Sequence, residues 1–343
     1  MTTVIHTPFG QEHPYEQLPE ERFPRRPLAG ESFTVGIATQ PVGGVAQVIV
    51  HSEVDSVPNP TVEAKRIADW QPELEEGVGA EYLERIVRIE QDVWHAALVA
   101  PQVGQTLTYW IEADGKQSER FTLVGETWTS EGSVHQNTDG SYDFKRGGEA
   151  KSVVGLPEIL ALEWLSDDHK ARRVRLSFRC SESDGFYGLG ERFNALNQRG
   201  NMLDVRVYEQ YKNQGKRSYM PIPFLLVWSA EMDRGYGLFV DSSRWMQFDL
   251  AASDPNKLII EADLGDDETL RLVPYHGEDP VAITAQFAQA TGPIALPPRW
   301  SFGLWMSSNE WNSQARVQHE TEQSLQHGIQ PSVLVIEAWS DET

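Results

Sequence analysis

Alternating apolar and polar positions fill most of the chain before residue 280. Runs in which every second residue is apolar recur from about Glu31 to Gly125 and again from about Glu126 to Pro280, with turn residues between them. This period of two predicts strands that bury one face and expose the other. Ala113-Asp114-Gly115 and Asn137-Thr138-Asp139-Gly140 have the composition of hairpin turns.

The two blocks predict two antiparallel β-sandwiches. In residues 29–125, seven or so short strands without a convincing helix indicate an immunoglobulin-like sandwich. Residues 126–296 contain clean strand patterns, such as Arg173–Cys180 and Lys257–Ala262, and predict one large antiparallel sandwich. Residues 1–28 are polar and rich in proline, which predicts a lead-in arm rather than a packed element.

Helical spacing enters only after the second block. Ile283 and Phe287 are spaced i, i+4 within Val281–Ala290, and Gly292 is placed to end a short helix there. We assign this helix, with the linker that follows it, to the second sandwich.

The last segment, residues 297–343, changes to a strand–helix–strand pattern. We predict a strand over Trp300–Ser308, a helix over about Ser313–His327 capped by Asn312, and a second strand over Ser332–Ser340. Parallel strands joined in this way belong to a sheet covered on both faces. A (β/α)8 barrel needs roughly 200 residues or more, so the pattern predicts the incomplete start of one.

Charge and cysteine content narrow the functional classes. The chain has 29 Lys and Arg against 51 Asp and Glu, a net charge of −22. Such a chain repels phosphate backbones, so neither nucleic acid nor an anionic membrane is an expected partner.

The single Cys180 predicts a buried, inert thiol. With no signal peptide or transmembrane run visible, we expect a cytoplasmic protein; the nine His lack ligand spacing, so we expect no metal and no cofactor. The sequence leaves the oligomeric state open.

Aromatic residues leave two interpretations open. Eleven Trp, ten Tyr and thirteen Phe suit both the packing of sheets and the stacking of sugar rings. Trp94 and Trp110 are candidates for either role, and core packing is the favoured one.

Three strings together resemble a known family. Tyr187-Gly-Leu-Gly-Glu-Arg-Phe193, Arg234-Gly-Tyr-Gly-Leu-Phe-Val240 and Pro297-Pro-Arg-Trp-Ser-Phe-Gly-Leu-Trp305 occur in the order and spacing of glycoside hydrolase family 31. The resemblance covers residues 156–343. It implies a galactose-mutarotase-like sandwich before a catalytic (β/α)8 barrel, and residues 29–125 are similar to the accessory sandwich that such enzymes often carry.

The resemblance also implies site residues for an oligosaccharide substrate. Glu337 occupies the place of the family's usual Asp, which binds hydroxyls of the sugar in subsite −1, and Trp339 would form the adjacent wall. Asn309 and Glu209 are looser correspondences, to a residue after the first barrel strand and to an acidic loop residue of the sandwich. Glu in place of Asp changes the reach of the side chain, so the sugar preference stays open between α-glucosides and α-xylosides.

The activity implied by the resemblance is that of a retaining α-glycosidase working by double displacement. That mechanism needs two carboxylates about 5–5.5 Å apart, which the family places further along the barrel, and no carboxylate of this chain matches either. We therefore expect no catalytic residue in residues 1–343 and no activity for this chain alone. Two alternatives are an α-transglucosylase of the same family and a non-catalytic carbohydrate-binding β-sandwich.

Overall fold

The computed structural model describes residues 2–10, 18–68, 91–148, 153–207, 215–292, 294–308 and 311–336. The chain divides into two compact units, residues 1–287 and 288–343. No helix in these ranges is both long and apolar enough to cross a lipid bilayer.

Eleven strands in the described part of residues 2–124 build the first sandwich. They are β1 (Thr3–Ile5), β2 (Arg22–Phe23), β3 (Ser32–Gln40), β4 (Val48–Val54), β5 (Val57–Pro58), β6 (Val62–Glu63), β7 (Lys65–Ile67), β8 (Asp92–Val99), β9 (Thr106–Ala113), β10 (Lys116–Gln117) and β11 (Phe121–Val124). Sheet A has the order β1-β3-β8-β7 with β2 beside β3, and sheet B has the order β10-β9-β4-β5 with β6 on β4 and β11 on β9.

The alternating pattern predicted this sandwich correctly. Phe33, Val35 and Ile37 of sheet A and Tyr109 and Ile111 of sheet B belong to one buried cluster. Asp114 and Gly115, with φ of 50° and 73°, form the predicted turn between β9 and β10. The two sheets therefore share one core.

The prediction of an unpacked N-terminal arm is wrong for the described part of residues 2–28. Both β1 and β2 pair with β3, and His6, Glu21 and Arg22 are buried. Arg22 also lies over the ring of Phe9, 4.9 Å from its centroid. The segment packs through polar and cationic side chains, which an apolar pattern does not reveal.

His6 connects this segment to the first core. Its Nδ1 lies 2.6 Å from the carbonyl oxygen of Gly36, which can only accept, so Nδ1 carries the proton. Nε2 then accepts from the hydroxyl of Tyr109 at 2.9 Å. Burial lowers the pKa of His6 from 6.5 to about 4, against the raising effect of its backbone hydrogen bonds.

Twelve further strands build the second sandwich. They are β12 (Thr127–Thr129), β13 (Gly132–Gln136), β14 (Tyr142–Arg146), β15 (Ile159–Ser166), β16 (Ala171–Arg179), β17 (Asp184–Gly188), β18 (Met202–Asp204), β19 (Phe224–Ser229), β20 (Arg234–Val240), β21 (Met246–Leu250), β22 (Lys257–Asp263) and β23 (Thr269–Tyr275). Sheet C has the order β12-β15-β16-β22-β21-β18 and sheet D the order β13-β14-β23-β20-β19-β17.

The inner faces of sheets C and D enclose a second core. Leu176 and Phe178 of sheet C and Phe144, Leu238 and Leu272 of sheet D are fully buried in it. All described pairings in both sheets are antiparallel. The predicted large antiparallel sandwich is confirmed.

Helix α1 (Pro280–Thr291) follows, close to its predicted bounds. Ile283 is fully buried with Phe224, Trp228 and Tyr275, and Phe287 stacks on Phe224 with a centroid distance of 4.2 Å. The i, i+4 pair therefore covers the outer face of sheet D.

The unit of residues 288–343 contains the strand–helix–strand pattern with shifted bounds. A 3-10 turn (Arg299–Phe302) precedes β24 (Leu304–Ser307), where one strand was predicted over Trp300–Ser308. Helix α2 (Gln314–Gln326) is capped by the hydroxyl of Ser313 rather than by Asn312, and β25 (Pro331–Val335) pairs with β24 in parallel. The strand prediction failed at Trp300 because Pro298 accepts hydrogen bonds from both the amide and the hydroxyl of Ser301, which closes a turn.

We expect acid to destabilise the first sandwich through His6. Above pH 6.5 the ring is neutral in both the folded and the unfolded chain; between pH 6.5 and about 4 only the unfolded chain takes up the proton. The free energy of unfolding should therefore fall by about 3 kcal/mol as the pH drops through this window. Hydrogen exchange of the β9 amides between pH 4 and 7 measures it.

His6→Gln should flatten this pH dependence, because glutamine can donate to Gly36 and accept from Tyr109 without titrating. The exposed His135→Gln is the matched control. An unchanged pH profile in His6→Gln would contradict the assignment.

Candidate functional site

The four predicted substrate-binding residues, Glu337, Trp339, Asn309 and Glu209, lie outside the described residues. The structure does describe what flanks them. Their assignment to a sugar site stays a prediction, and the flanking elements define the scaffold on which it depends.

The first flanking element is the glycine string Gly188-Leu189-Gly190. All three residues have positive φ, of 97°, 60° and 86°. The amide of Leu189 donates to the carbonyl of Phe224 at 2.8 Å, so the string crosses directly beside the chain of residues 220–224. A Cβ on Gly190 would lie 2.0 Å from the carbonyl oxygen of Met220, so only glycine fits here.

Arg192 connects the described residues on either side of residues 208–214, the stretch that contains Glu209. Its guanidinium donates to the carbonyl oxygens of Leu189 at 3.0 Å, Lys216 at 2.8 Å and Asp204 at 3.2 Å. Asp204 precedes residues 208–214 and Lys216 follows them, and the bridge between Val207 and Ser218 brings the two flanks together. The cross-chain role of Arg192 had no local signal in the sequence.

Apolar side chains are exposed along this part of the second sandwich. Phe193, Leu196, Val207, Tyr219 and Met220 each have more than half of their surface accessible. Phe193 and Leu196 follow Arg192 in the sequence, Val207 follows Asp204, and Tyr219 and Met220 follow Lys216. Exposed aromatic and aliphatic groups clustered in this way suit contact with another surface or a ligand.

The second flanking element is the parallel pair β24–β25. Ser307 at the end of β24 pairs with Val335 at the end of β25. Asn309 comes two residues after the first of these strand ends and Glu337 two residues after the second. The described strand ends thus meet at one edge, as required for a site at the carboxyl ends of barrel strands.

Trp94 and Trp110, the two described tryptophans of the first sandwich, are not free platforms for sugar. Trp94 is buried, and its indole N–H donates to the hydroxyl of Thr39 at 3.0 Å. The ring of His51 stacks on Trp110 at 5.3 Å with an interplanar angle of 5°, and the guanidinium of Arg120 lies 3.9 Å from its centroid. Core packing is therefore confirmed for Trp94. It is wrong for Trp110, which lies on the outer face of sheet B with His51 and Arg120 stacked on it.

Cys180 is buried, and burial raises the pKa of its thiol. An unreactive thiol in a wall of the second sandwich agrees with the prediction. Across the described ranges, no group of three or more His, Cys, Asp and Glu side chains is arranged to hold a metal ion.

Comparisons with known proteins agree with the motifs. Residues 106–249 match the glycosyl hydrolase 31 N-terminal galactose mutarotase-like domain, and residues 5–71 match a family described as Lmo2446-like, N-terminal. The chain belongs to glycoside hydrolase family 31, of which it carries the N-terminal β-sandwich portion.

Its relatives are enzymes of this family. The chain is 31% identical to the 1,3-alpha-isomaltosidase of Kribbella flavida over 99% of its own length and 44% of the relative's. Its fold matches the cycloalternan-degrading enzyme of Trueperella pyogenes, solved in complex with cycloalternan, with a TM-score of 0.80, 30% identity, and coverage of 99% of this chain and 46% of that one.

Other relatives match a smaller share of the chain. The isomaltosyltransferase of Sporosarcina globispora is 38% identical over 50% of the chain and 15% of its own length. The alpha-xylosidase XylQ of Lactiplantibacillus pentosus is 29% identical over 41% of the chain and 18% of its own length. The chain thus spans less than half the length of each relative.

Replacing Gly190 tests the close approach of its backbone to the carbonyl oxygen of Met220. Gly190→Ala adds backbone strain and drives Cβ into Met220, so the free energy of unfolding of the second sandwich should fall by more than about 3 kcal/mol. Denaturant titration of Gly190→Ala and of the parent chain measures this loss of free energy.

Gly200→Ala is the matched control. Gly200 has a similar φ of 82°, but nothing lies within 4 Å of its added Cβ, so it should lose only about 1–2 kcal/mol. Equal losses in the two variants would contradict the steric account of Gly190.

Proposed function

We propose that this chain is the N-terminal part of a retaining α-glycosidase of family 31 that releases isomaltosyl units from α-linked glucose oligosaccharides. The protein would act by double displacement, with both catalytic carboxylates supplied by barrel residues outside positions 1–343. In this proposal residues 2–287 are the scaffold, and residues 297–343 begin the barrel.

The observation that carries the proposal is the extent of the match. The isomaltosidase of Kribbella flavida and the cycloalternan-degrading enzyme align with 99% of this chain, including the first sandwich. The xylosidase aligns with only 41%. This difference favours isomaltosyl over xylosyl substrates, which the sequence motifs alone left open.

The surface of the second unit supports the barrel part of the proposal. β24 and β25 form a two-stranded parallel sheet, although parallel strands are normally covered on both faces. Trp300, Phe302, Trp305 and Ile336 nevertheless expose more than half of their surface. Further barrel strands and helices would cover these groups.

The described scaffold has a specific role in this proposal. Arg192 holds the two flanks of residues 208–214, and the glycine crossing fixes Arg192 relative to sheet D. Glu209 lies between these two flanks in the sequence, and in this proposal it would contribute an acidic group to the sugar site. Glu337 and Trp339 would then supply a hydroxyl acceptor and a flat wall from the second barrel strand.

Isomaltosyl transfer is the second candidate. The relative with the highest of these identities, 38%, is an isomaltosyltransferase. Transfer and hydrolysis share the covalent glycosyl intermediate and differ in whether a sugar hydroxyl or water accepts it. A non-catalytic carbohydrate-binding sandwich is less well supported, because both tryptophans considered for that role are occupied within the fold.

The native protein should release isomaltose from cycloalternan with initial retention of the α-anomer. The experiment determines the intact mass of the protein in its source, then follows its products by chromatography and by proton NMR. The 343-residue chain is assayed in parallel and should show no turnover, because it lacks the proposed carboxylates.

Each other result has a defined meaning. Products longer than the substrate would favour transfer over hydrolysis. Turnover by the 343-residue chain would contradict the placement of the catalytic pair. A native mass equal to that of 343 residues, with no turnover, would contradict the enzymatic proposal altogether.

A further inference from the structure

The outer face of sheet C contains a groove that the function above does not use. Its volume is about 500 Å³, within the range of small-molecule sites of roughly 300–1,000 Å³. Its lining comes from the four central strands β15, β16, β22 and β21, together with Met202 of β18 and Ser130.

The lining residues form two neighbouring rungs, each of which is a row of paired residues that crosses the four strands. Across one rung the order is Glu163, Arg175, Glu261 and Gln247. Across the next it is Ala161, Ser177, Ile259 and Asp249. Residues two apart on a strand face the same side, so these side chains all lie on the outer face.

The depression arises from residue size. Ala161 and Ser177 are the two smallest side chains of the second rung and lie side by side, while the rung beside them carries long charged side chains. Ile259 continues the low floor and supplies an apolar surface. A shallow trough with a polar wall along one side results.

The polar wall is held in a fixed geometry. Nε and Nη2 of Arg175 each lie 2.7 Å from Oε1 of Glu261, and the guanidinium lies 3.9 Å from the centroid of Trp128. The neighbouring Arg173 repeats this arrangement with Asp263 at 2.6 Å and Trp245 at 3.9 Å. Arginines stacked and paired in this way lose little further freedom when a ligand binds.

Several hydrogen-bonding groups of the groove have no partner within the described part of the chain. The Ser177 side chain is only 5% exposed overall, yet its hydroxyl makes no hydrogen bond there, and neither does the side-chain amide of Gln247. Glu163 makes only a 3.7 Å contact with Arg175. None of these atoms is a fully buried polar atom without a partner, so they are open to solvent and can bond to a ligand.

The charges of the groove point to a neutral ligand. Arg175 is neutralised by Glu261, and Lys257 is paired with Asp254 at 2.9 Å. The carboxylate of Asp249 accepts hydrogen bonds from the amides of Ala252 and Ser253. No unpaired cation of the lining remains for an anion, and the net charge of −22 repels anions further.

We propose that this groove binds a neutral saccharide. The C–H face of a pyranose ring would lie on Ile259 and Ala161, and its hydroxyl groups would bond to Ser177, Gln247 and Glu163. This inference goes beyond the proposed function, because binding here needs no catalytic residue.

Titration calorimetry of the 343-residue chain with isomaltose tests the proposal, with glucose 6-phosphate as the anionic comparison. Isomaltose should bind saturably, in the millimolar range typical of a few neutral hydrogen bonds, and the phosphate should bind more weakly. Gln247→Ala should weaken the affinity for isomaltose about three- to tenfold. Ala161→Phe fills the trough and should abolish binding.

Gln117→Ala and Thr122→Phe, exposed strand residues of the first sandwich, are the matched controls and should leave the affinity unchanged. If Ala161→Phe does not fold, Ser177→Ala replaces it, with an expected loss like that of Gln247→Ala. Absence of saturable binding, tighter binding of the phosphate, or an affinity unaffected by Gln247→Ala would overturn the proposal. Turnover of cycloalternan by the native protein is measured separately, so the two proposals fail independently.

Discussion

The burial of alternate side chains between sheets C and D is the constraint on which the second sandwich depends. Val174, Leu176 and Phe178 of β16 are fully buried, so Arg173, Arg175 and Ser177 must face outward. A slip of one residue would bury two arginines and expose three large apolar groups, at a cost far above the stability of a typical domain. The burial of the core residues therefore also determines which side chains face outward, including those that line the groove.

The sequence predicted most strands because a period of two is visible locally. It failed where stability comes from polar groups or from single hydrogen bonds. His6, Glu21 and Arg22 show no apolar pattern, yet they are buried where the described part of residues 2–28 packs on sheet A. The capping of α2 by Ser313 rather than Asn312 is a choice between adjacent residues of equal capping ability, which local chemistry does not decide.

Sites composed of distant residues are hidden from the sequence for a different reason. Arg192 acts on Lys216 and Asp204, and the groove joins residues 161–163, 175–177, 247–249 and 259–261. Only the strand order β15-β16-β22-β21 brings those four stretches together. The motif around Gly188 and Gly190 was visible in the sequence, but its purpose, a close crossing beside Met220 and Phe224, required the fold.

Arginine side chains lie over tryptophan rings on the outer faces of both sandwiches. Arginines cover Trp110, Trp128 and Trp245, which converts flat rings into rigid supports for guanidinium groups. These ring faces are therefore not available to stack on a sugar. Phe193 and Tyr219 are exposed in the described segments that Arg192 connects, and Trp300, Phe302 and Trp305 are exposed in the unit of residues 288–343. Among the residues that the structure describes, the exposed aromatic groups therefore lie mostly in these two places, which the family 31 motifs also mark, and Phe23 of β2 is the exception.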